Sequence, residues 1–177
     1  QLDLCIRGAN VVDGTGAPMR RADVGIKDGR ITSIGEHLGG ATETLDADGL
    51  VLAPGFVDPH THYDAQLCWD PTTSPSNLHG VTTVIGGNCG FSIAPLGPDD
   101  ADYIRRMISV VEGMPLSALE NGIDWCWSSF GQWLDQLEGQ TAVNAGFLVG
   151  HCALRRTVMG KEAVGNEASS DKVRRMQ

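Results

Sequence analysis

Residues Pro54-Gly55-Phe56-Val57-Asp58-Pro59-His60-Thr61-His62-Tyr63-Asp64, PGFVDPHTHYD, place two histidines two apart with an aspartate two positions away on either side. Residues i and i+2 of a β-strand point to the same side of the sheet. An extended reading therefore puts Asp58, His60, His62 and Asp64 on one face and Val57, Thr61 and Tyr63 on the other. A row of imidazoles and carboxylates is costly to bury unless something binds it. A metal ion is the candidate occupant, because neutral imidazole is a common ligand for zinc.

Upstream of this stretch, residues 2–53 read as β. ADVGIKDGRITSIG holds two alternating strands around Asp28-Gly29, a strong two-residue hairpin signal. LCIRGANVVDGTG and ETLDADGLVLAPG add strands and turns at Asp13-Gly14 and Asp48-Gly49. Short strands with glycine-rich turns predict a small β-sandwich or meander over residues 1–53.

Downstream the pattern changes. GFVDPHTH, GVTTVIGGNCG and TAVNAGFLVGH read as strands. The β-branched run Val81–Ile85 suggests burial on both faces of a sheet. DYIRRMISVVEGM has Tyr103, Met107, Val110 and Val111 at helical spacing. SSFGQWLDQLEG begins with Ser129 and Gln132 in capping-box register and sets Phe130, Trp133, Leu134 and Leu137 on one side. ASSDKVRRMQ predicts a further helix opening at Ser169 or Ser170. Strands alternating with helices over residues 54–177 indicate a parallel sheet or a β/α barrel, so the fold class is α/β.

The chain has 177 residues, 41% of them hydrophobic and 20% charged, a globular composition. Its net charge of −9 argues against nucleic acid or an anionic membrane as the main partner, since both need a basic face. No apolar run reaches the roughly 20 residues of a membrane span. No signal peptide is visible at QLDLCIRGAN. The five cysteines (Cys5, Cys68, Cys89, Cys126, Cys152) form neither a disulfide framework nor a CxxC pair. A reducing, cytoplasmic setting is the default expectation.

Three strand ends carry the chemistry-bearing groups: His60 and His62 on the first, Cys89 within GGNCG on the second, His151 within VGHCALR on the third. The 27 residues from His62 to Cys89 approach the roughly 30 of a β-α-β unit. In a β/α barrel the C-terminal strand ends converge on one face, where active sites sit. Alone, Cys89 reads as a small buried hydrophobe. Its setting among Gly86, Gly87 and Gly90, with the two histidines one unit earlier, favours a ligand. His151 stays open between a core histidine, a substrate contact and a group behind the metal. Arg155 and Arg156 read as solvated surface, with Arg155 the candidate for binding a substrate carboxylate. The four tryptophans read as packing.

DLCIRGANVVDGTG, DVGIKDGRITSIG and LVLAPGFVDPHTHYD together resemble the start of a metal-dependent amidohydrolase of the urease-related superfamily. That resemblance implies a β-sandwich followed by a (β/α)8 barrel with HxH at the end of its first strand. HGVTTVIGGNCGFSIAPL, GIDWCWSSFGQWLDQLE and NAGFLVGHCALRRTVMG resemble, more narrowly, the N-acyl-D-amino-acid deacylases of the D-aminoacylase family. The implied metal ligands are His60, His62 and Cys89, the metal Zn2+, with one tight site and a weaker second one.

The implied reaction is hydrolysis of the amide of a small N-acyl-D-amino acid, giving a carboxylate and a free D-amino acid. The resemblance also calls for two further histidines and an aspartate general acid/base on later strands, which these residues do not contain. The expectation is therefore an N-terminal portion holding the first three barrel strands (54–177), inactive alone and compatible with a homo-oligomer. A cyclic amidase of the hydantoinase or dihydropyrimidinase type, and a non-catalytic amidohydrolase-like scaffold, are the alternative readings.

Overall fold

A computed structural model describes all residues, 1–177, and divides into two compact units, Gln1–Pro54 and Gly55–Gln177. The first unit holds β1 (Leu2–Val11), β2 (Arg20–Lys27), β3 (Arg30–Gly35), β4 (Ala41–Asp46) and β5 (Val51–Leu52). These form one five-stranded sheet in the order β3-β2-β1-β4, with β5 also beside β1. The hairpin expected at Asp28-Gly29 joins β2 to β3, and both turn residues have positive φ, +49° and +69°. β1, β2 and β3 form an antiparallel meander within a single sheet, with no second layer packed on it. β4 and β5 both run parallel to β1, a long-range pairing that turn signals do not encode. Ala9, Val11, Ala22, Val24 and Ala47 make the small core of this sheet. Asp23 Oδ1 accepts the N–H of Gly8 at 2.9 Å where β1 bulges, and that bond holds its carboxyl below the usual carboxylate range.

The second unit is mixed α/β. β6 (Phe56–Thr61), β7 (Val81–Gly86) and β8 (Asn144–Phe147) form a parallel sheet in sequence order. Five helices accompany it: α1 (Ala101–Val111), α2 (Leu116–Gly122), α3 (Phe130–Leu137), α4 (His151–Met159) and α5 (Ser170–Met176). Three strands make an arc of sheet, not a closed barrel. The β6–β7 crossover carries only short 3-10 turns, in a stretch punctuated by Pro71 and Pro75. α1, α2 and α3 all lie in the β7–β8 crossover. β7 is less buried than its β-branched run suggested: Val84 and Gly86 are buried, while Thr82 is exposed.

Helix caps follow the sequence closely. Ser129 Oγ accepts the N–H of Gln132, and Ser169 Oγ accepts that of Lys172. The core of this unit joins Ile93, Leu96, Ile104, Leu119, Trp127 and Trp133, with Phe147 of β8 edge-on to Trp133 at 4.5 Å. Trp125 and Trp127 stack at 5.0 Å and donate their indole N–H groups to the carbonyls of Leu96 and Ile93. On α1 the buried face is rotated from the expected one. Ala101, Ile104 and Ile108 point inward, whereas Val110 is 84% exposed.

Candidate functional site

Parallel pairing aligns the strand ends. Thr61 lies opposite Gly86, and Gly86 opposite Phe147, so the residues that follow β6, β7 and β8 emerge side by side. His60 is the penultimate residue of β6 and His62 follows the strand; their rings are 5.4 Å apart. Cys89 sits in the loop after β7, with Sγ 3.7 Å from His62 Nδ1. One ligand atom from each of His60, His62 and Cys89 lies within 4.8 Å of the others. Two imidazole nitrogens and a thiol sulfur form a donor set that divalent transition metals take.

The cysteine loop is held on several sides. Gly87 has φ +85°, and a Cβ there would stand 2.1 Å from the carbonyl oxygen of Leu148. Only glycine admits that approach of the segment after β8. Asn88 Nδ2 donates to the carbonyl of Pro59, tying the loop to the HxH strand. The N–H of Cys152 donates to Gly90 O at 2.9 Å, and that of Gly150 to Ser92 Oγ at 3.1 Å. The Phe91 N–H points at Cys89 Sγ, 3.4 Å away, and helps to hold the sulfur in place.

Asp64 does not extend the HxH row. β6 ends at Thr61, the chain turns, and Asp64 is buried, its Oδ2 accepting the N–H of Ile93 at 3.1 Å. Burial pushes its carboxyl up to about 6, against the bonds from Ala65 and Ile93, with Glu112 raising it further and His62 lowering it. The same-face reading fails at this residue because it required the strand to continue.

His151 opens α4 beside this loop, its Cβ 3.9 Å from where a Cβ on Gly90 would be, but it is not among the three clustered groups. Arg155 is turned away: Nε donates to Ala163 O at 2.7 Å, and the guanidinium also meets Asn166 O. Arg156, read as solvated, is largely buried. It pairs with Asp100 at 2.7 Å and lies 4.3 Å over the ring of Tyr103.

One residue was missed from the sequence. Glu112, just past the end of α1, places Oε1 2.9 Å from His62 Nδ1. Its side chain is only 14% exposed, and the approach is oblique, leaving Oε1 buried without an aligned hydrogen bond. The available signal was its register: 104, 108 and 112 fall at i, i+4 and i+8, so Glu112 continues the buried face of Ile104 and Ile108. Asp58, His60, His62, Gln66 and Glu112 help line a cavity of about 290 Å³. A larger hollow of about 610 Å³ near Trp69 and Gln136 shares no lining residue with it.

A family model described as the amidohydrolase family matches residues 43–177. The chain belongs to the amidohydrolase family. D-aminoacylase of Alcaligenes xylosoxydans xylosoxydans is 40% identical to it over 159 residues, 89% of this chain and 31% of that protein. A solved D-aminoacylase with a binuclear metal center superposes with a TM-score of 0.81 at 36% identity, covering 99% of this chain and 35% of that one. N-acyl-D-glutamate deacylase from Bordetella bronchiseptica, complexed with zinc and a phosphonate mimic of the tetrahedral intermediate, gives 0.79 at 33% identity, covering 99% and 35%. This amidohydrolase chain thus spans about a third of the length of the relatives it matches. No helix in it is long and apolar enough to cross a membrane.

Proposed function

We propose that this chain supplies part of the active site of a zinc-dependent N-acyl-D-amino-acid deacylase, with His60, His62 and Cys89 as metal ligands. The single observation that carries the reading is the convergence of two imidazoles and a thiol within 4.8 Å at adjacent strand ends. Its support is the likeness over 99% of the chain to a solved D-aminoacylase and to an N-acyl-D-glutamate deacylase bound to zinc. Nitrogen and sulfur donors suit zinc. When bound, zinc would supply Lewis-acid activation of water and of the acyl carbonyl.

The chain's own residues do the holding and orienting. His60 and His62 present nitrogen from the end of β6. Cys89 presents sulfur, as a thiolate, from a glycine-shaped loop whose geometry the neighbouring segments fix. Asp64 ties the turn after His62 to the stretch after Cys89 through Ile93. His151, at the rim of the loop, is proposed to face the substrate. Arg155 is the weaker candidate for a carboxylate contact, because backbone carbonyls already occupy its guanidinium. The remaining ligands and the aspartate that moves the proton are proposed to lie in the part of the protein outside these 177 residues. The 177 residues alone are then inactive.

The test is metal analysis and hydrolysis assays on the protein at its natural full length. The reading expects bound zinc and release of D-amino acids from N-acetyl-D-amino acids, with L-enantiomers and cyclic amides poor substrates. Hydrolysis of hydantoins or dihydropyrimidines instead would move it to the cyclic amidases. A metal-free, inactive protein would reduce it to a scaffold.

A further inference from the structure

We infer that Glu112 is the positioning residue of His62. Its carboxylate accepts the proton of Nδ1 and thereby leaves the lone pair of Nε2 for a metal. The inference rests on the metal reading of His62 and adds to it a residue from a different element, the end of α1.

Four observations carry it. Glu112 Oε1 and His62 Nδ1 are 2.9 Å apart, a hydrogen-bond distance. Oε1 is buried and makes no hydrogen bond elsewhere, a costly state for a carboxylate oxygen. The side chain sits at the C-terminal end of a helix, where the helix dipole disfavours negative charge, so the helix itself gives no reason to put it there. Finally, α1 is locked in place by Ile108 and Ile104, one and two turns back on the same face, so the carboxylate is delivered from a rigid support.

For a neutral His62, the form that can bind a metal, the chemistry then has one solution. A neutral imidazole has one N–H and one lone pair. An ionised carboxylate only accepts, so the nitrogen facing it must hold the proton, and the lone pair falls on the other nitrogen. Cys89 Sγ also approaches Nδ1, but at 3.7 Å, a loose thiol contact beside a 2.9 Å one. The oblique approach is ordinary for a site whose hydrogen bonds tighten when it is filled. Partners of this kind, behind a metal-binding histidine, typically contribute about 10–100-fold to metal affinity.

The test uses the full-length protein labelled with 15N-histidine, as wild type, Glu112→Ala and Glu112→Gln. In metal-free wild type, the long-range 1H–15N spectrum should show His62 with Nδ1 protonated. Glu112→Ala should lose that preference, and Glu112→Gln, which keeps an oxygen acceptor but not the charge, should retain part of it. Zinc affinity, measured against a competing chelator, should fall about 10–100-fold in Glu112→Ala and less in Glu112→Gln. If Glu112→Ala fails to fold, the isosteric Glu112→Gln carries both measurements. A wild-type His62 with its lone pair on Nδ1, or the same tautomer and zinc affinity in wild type and both variants, overturns the inference. A Glu112-dependent tautomer in a protein that binds no zinc upholds the pairing and removes the metal reading instead.

Discussion

Asp64 Oδ2 accepts the backbone N–H of Ile93 at 3.1 Å, joining the turn after the two histidines to the segment after Cys89. The bond is made by a buried carboxyl whose titration is pushed up from 3.8 to about 6, chiefly by loss of water. A group that titrates higher folded than unfolded contributes its stability below the unfolded value and loses it as pH rises through the folded one. The bond thus fixes the loop while the charge opposes folding near neutrality.

Asp64→Asn keeps an oxygen for Ile93 and removes that charge. In metal-free protein at pH 7 the variant should be more stable than wild type by up to roughly 3 kcal/mol, the worth of about two pKa units. The gain should shrink as pH falls from 6 to 4. Urea unfolding across that range reads the difference. A variant less stable than wild type at pH 7 would mean the carboxylate's charge is compensated in the fold.

Cys89→Ser should weaken zinc binding by more than the about 100-fold at which residues behind the ligands reach their limit. Cys152→Ser should leave it unchanged, although Cys152 shares a backbone hydrogen bond with the same loop through Gly90. Chelator competition on the two variants separates ligand from neighbour. Equal affinities would remove Cys89 from the proposed ligand set.

Gly87→Ala and Gly139→Ala form a matched pair. Both glycines have positive φ, +85° and +71°, but a Cβ at 87 meets Leu148 O at 2.1 Å while one at 139 meets nothing within 4 Å. Gly139→Ala should cost only the about 1–2 kcal/mol of a left-handed alanine. Gly87→Ala should cost clearly more, and should lower metal affinity because the cysteine loop must shift. Thermal melts beside metal titrations check both, and equal destabilisation would contradict the close approach.

Thiol reactivity should sort the cysteines. Cys126 is exposed, whereas burial, with Asp64 and Cys126 adding to it, pushes Cys68 up to about 12. At pH 8 its thiolate fraction is then about a thousandfold below that of an ordinary thiol. Iodoacetamide should modify Cys126 within the first time points and Cys68 only on unfolding, as followed by peptide mass spectrometry. Early labelling of Cys68 would mean its burial is transient.

Local chemistry made much of this legible from residues alone. Asp28-Gly29 requires two left-handed residues and forms the hairpin; Ser129 and Ser169 are good caps and cap their helices. The HxH-to-Cys89 spacing follows from parallel strands with aligned ends. Long-range partners decided the rest. α1 carries apolar residues on two overlapping stripes, and its neighbours chose Ile104 and Ile108 while Tyr103 became the platform for Arg156. The parallel pairing of β4 and β5 with β1 crosses tens of residues that no local signal spans. The sequence sets Asp64 in the HxH row, but the strand stops at Thr61, and a lone Glu112 reads as solvated surface; only the folded chain shows what each faces.

The stacked Trp125–Trp127 pair and the Trp133–Phe147 contact have an optical consequence. All four tryptophans, and every tyrosine and phenylalanine, lie after Pro54. The N-terminal sheet therefore has no intrinsic fluorescence and no aromatic near-UV signal of its own. A melt followed by emission sees only the half that carries the histidines and Cys89. A melt followed by far-UV circular dichroism sees both, so any gap between the two midpoints measures how independently the dark sheet unfolds.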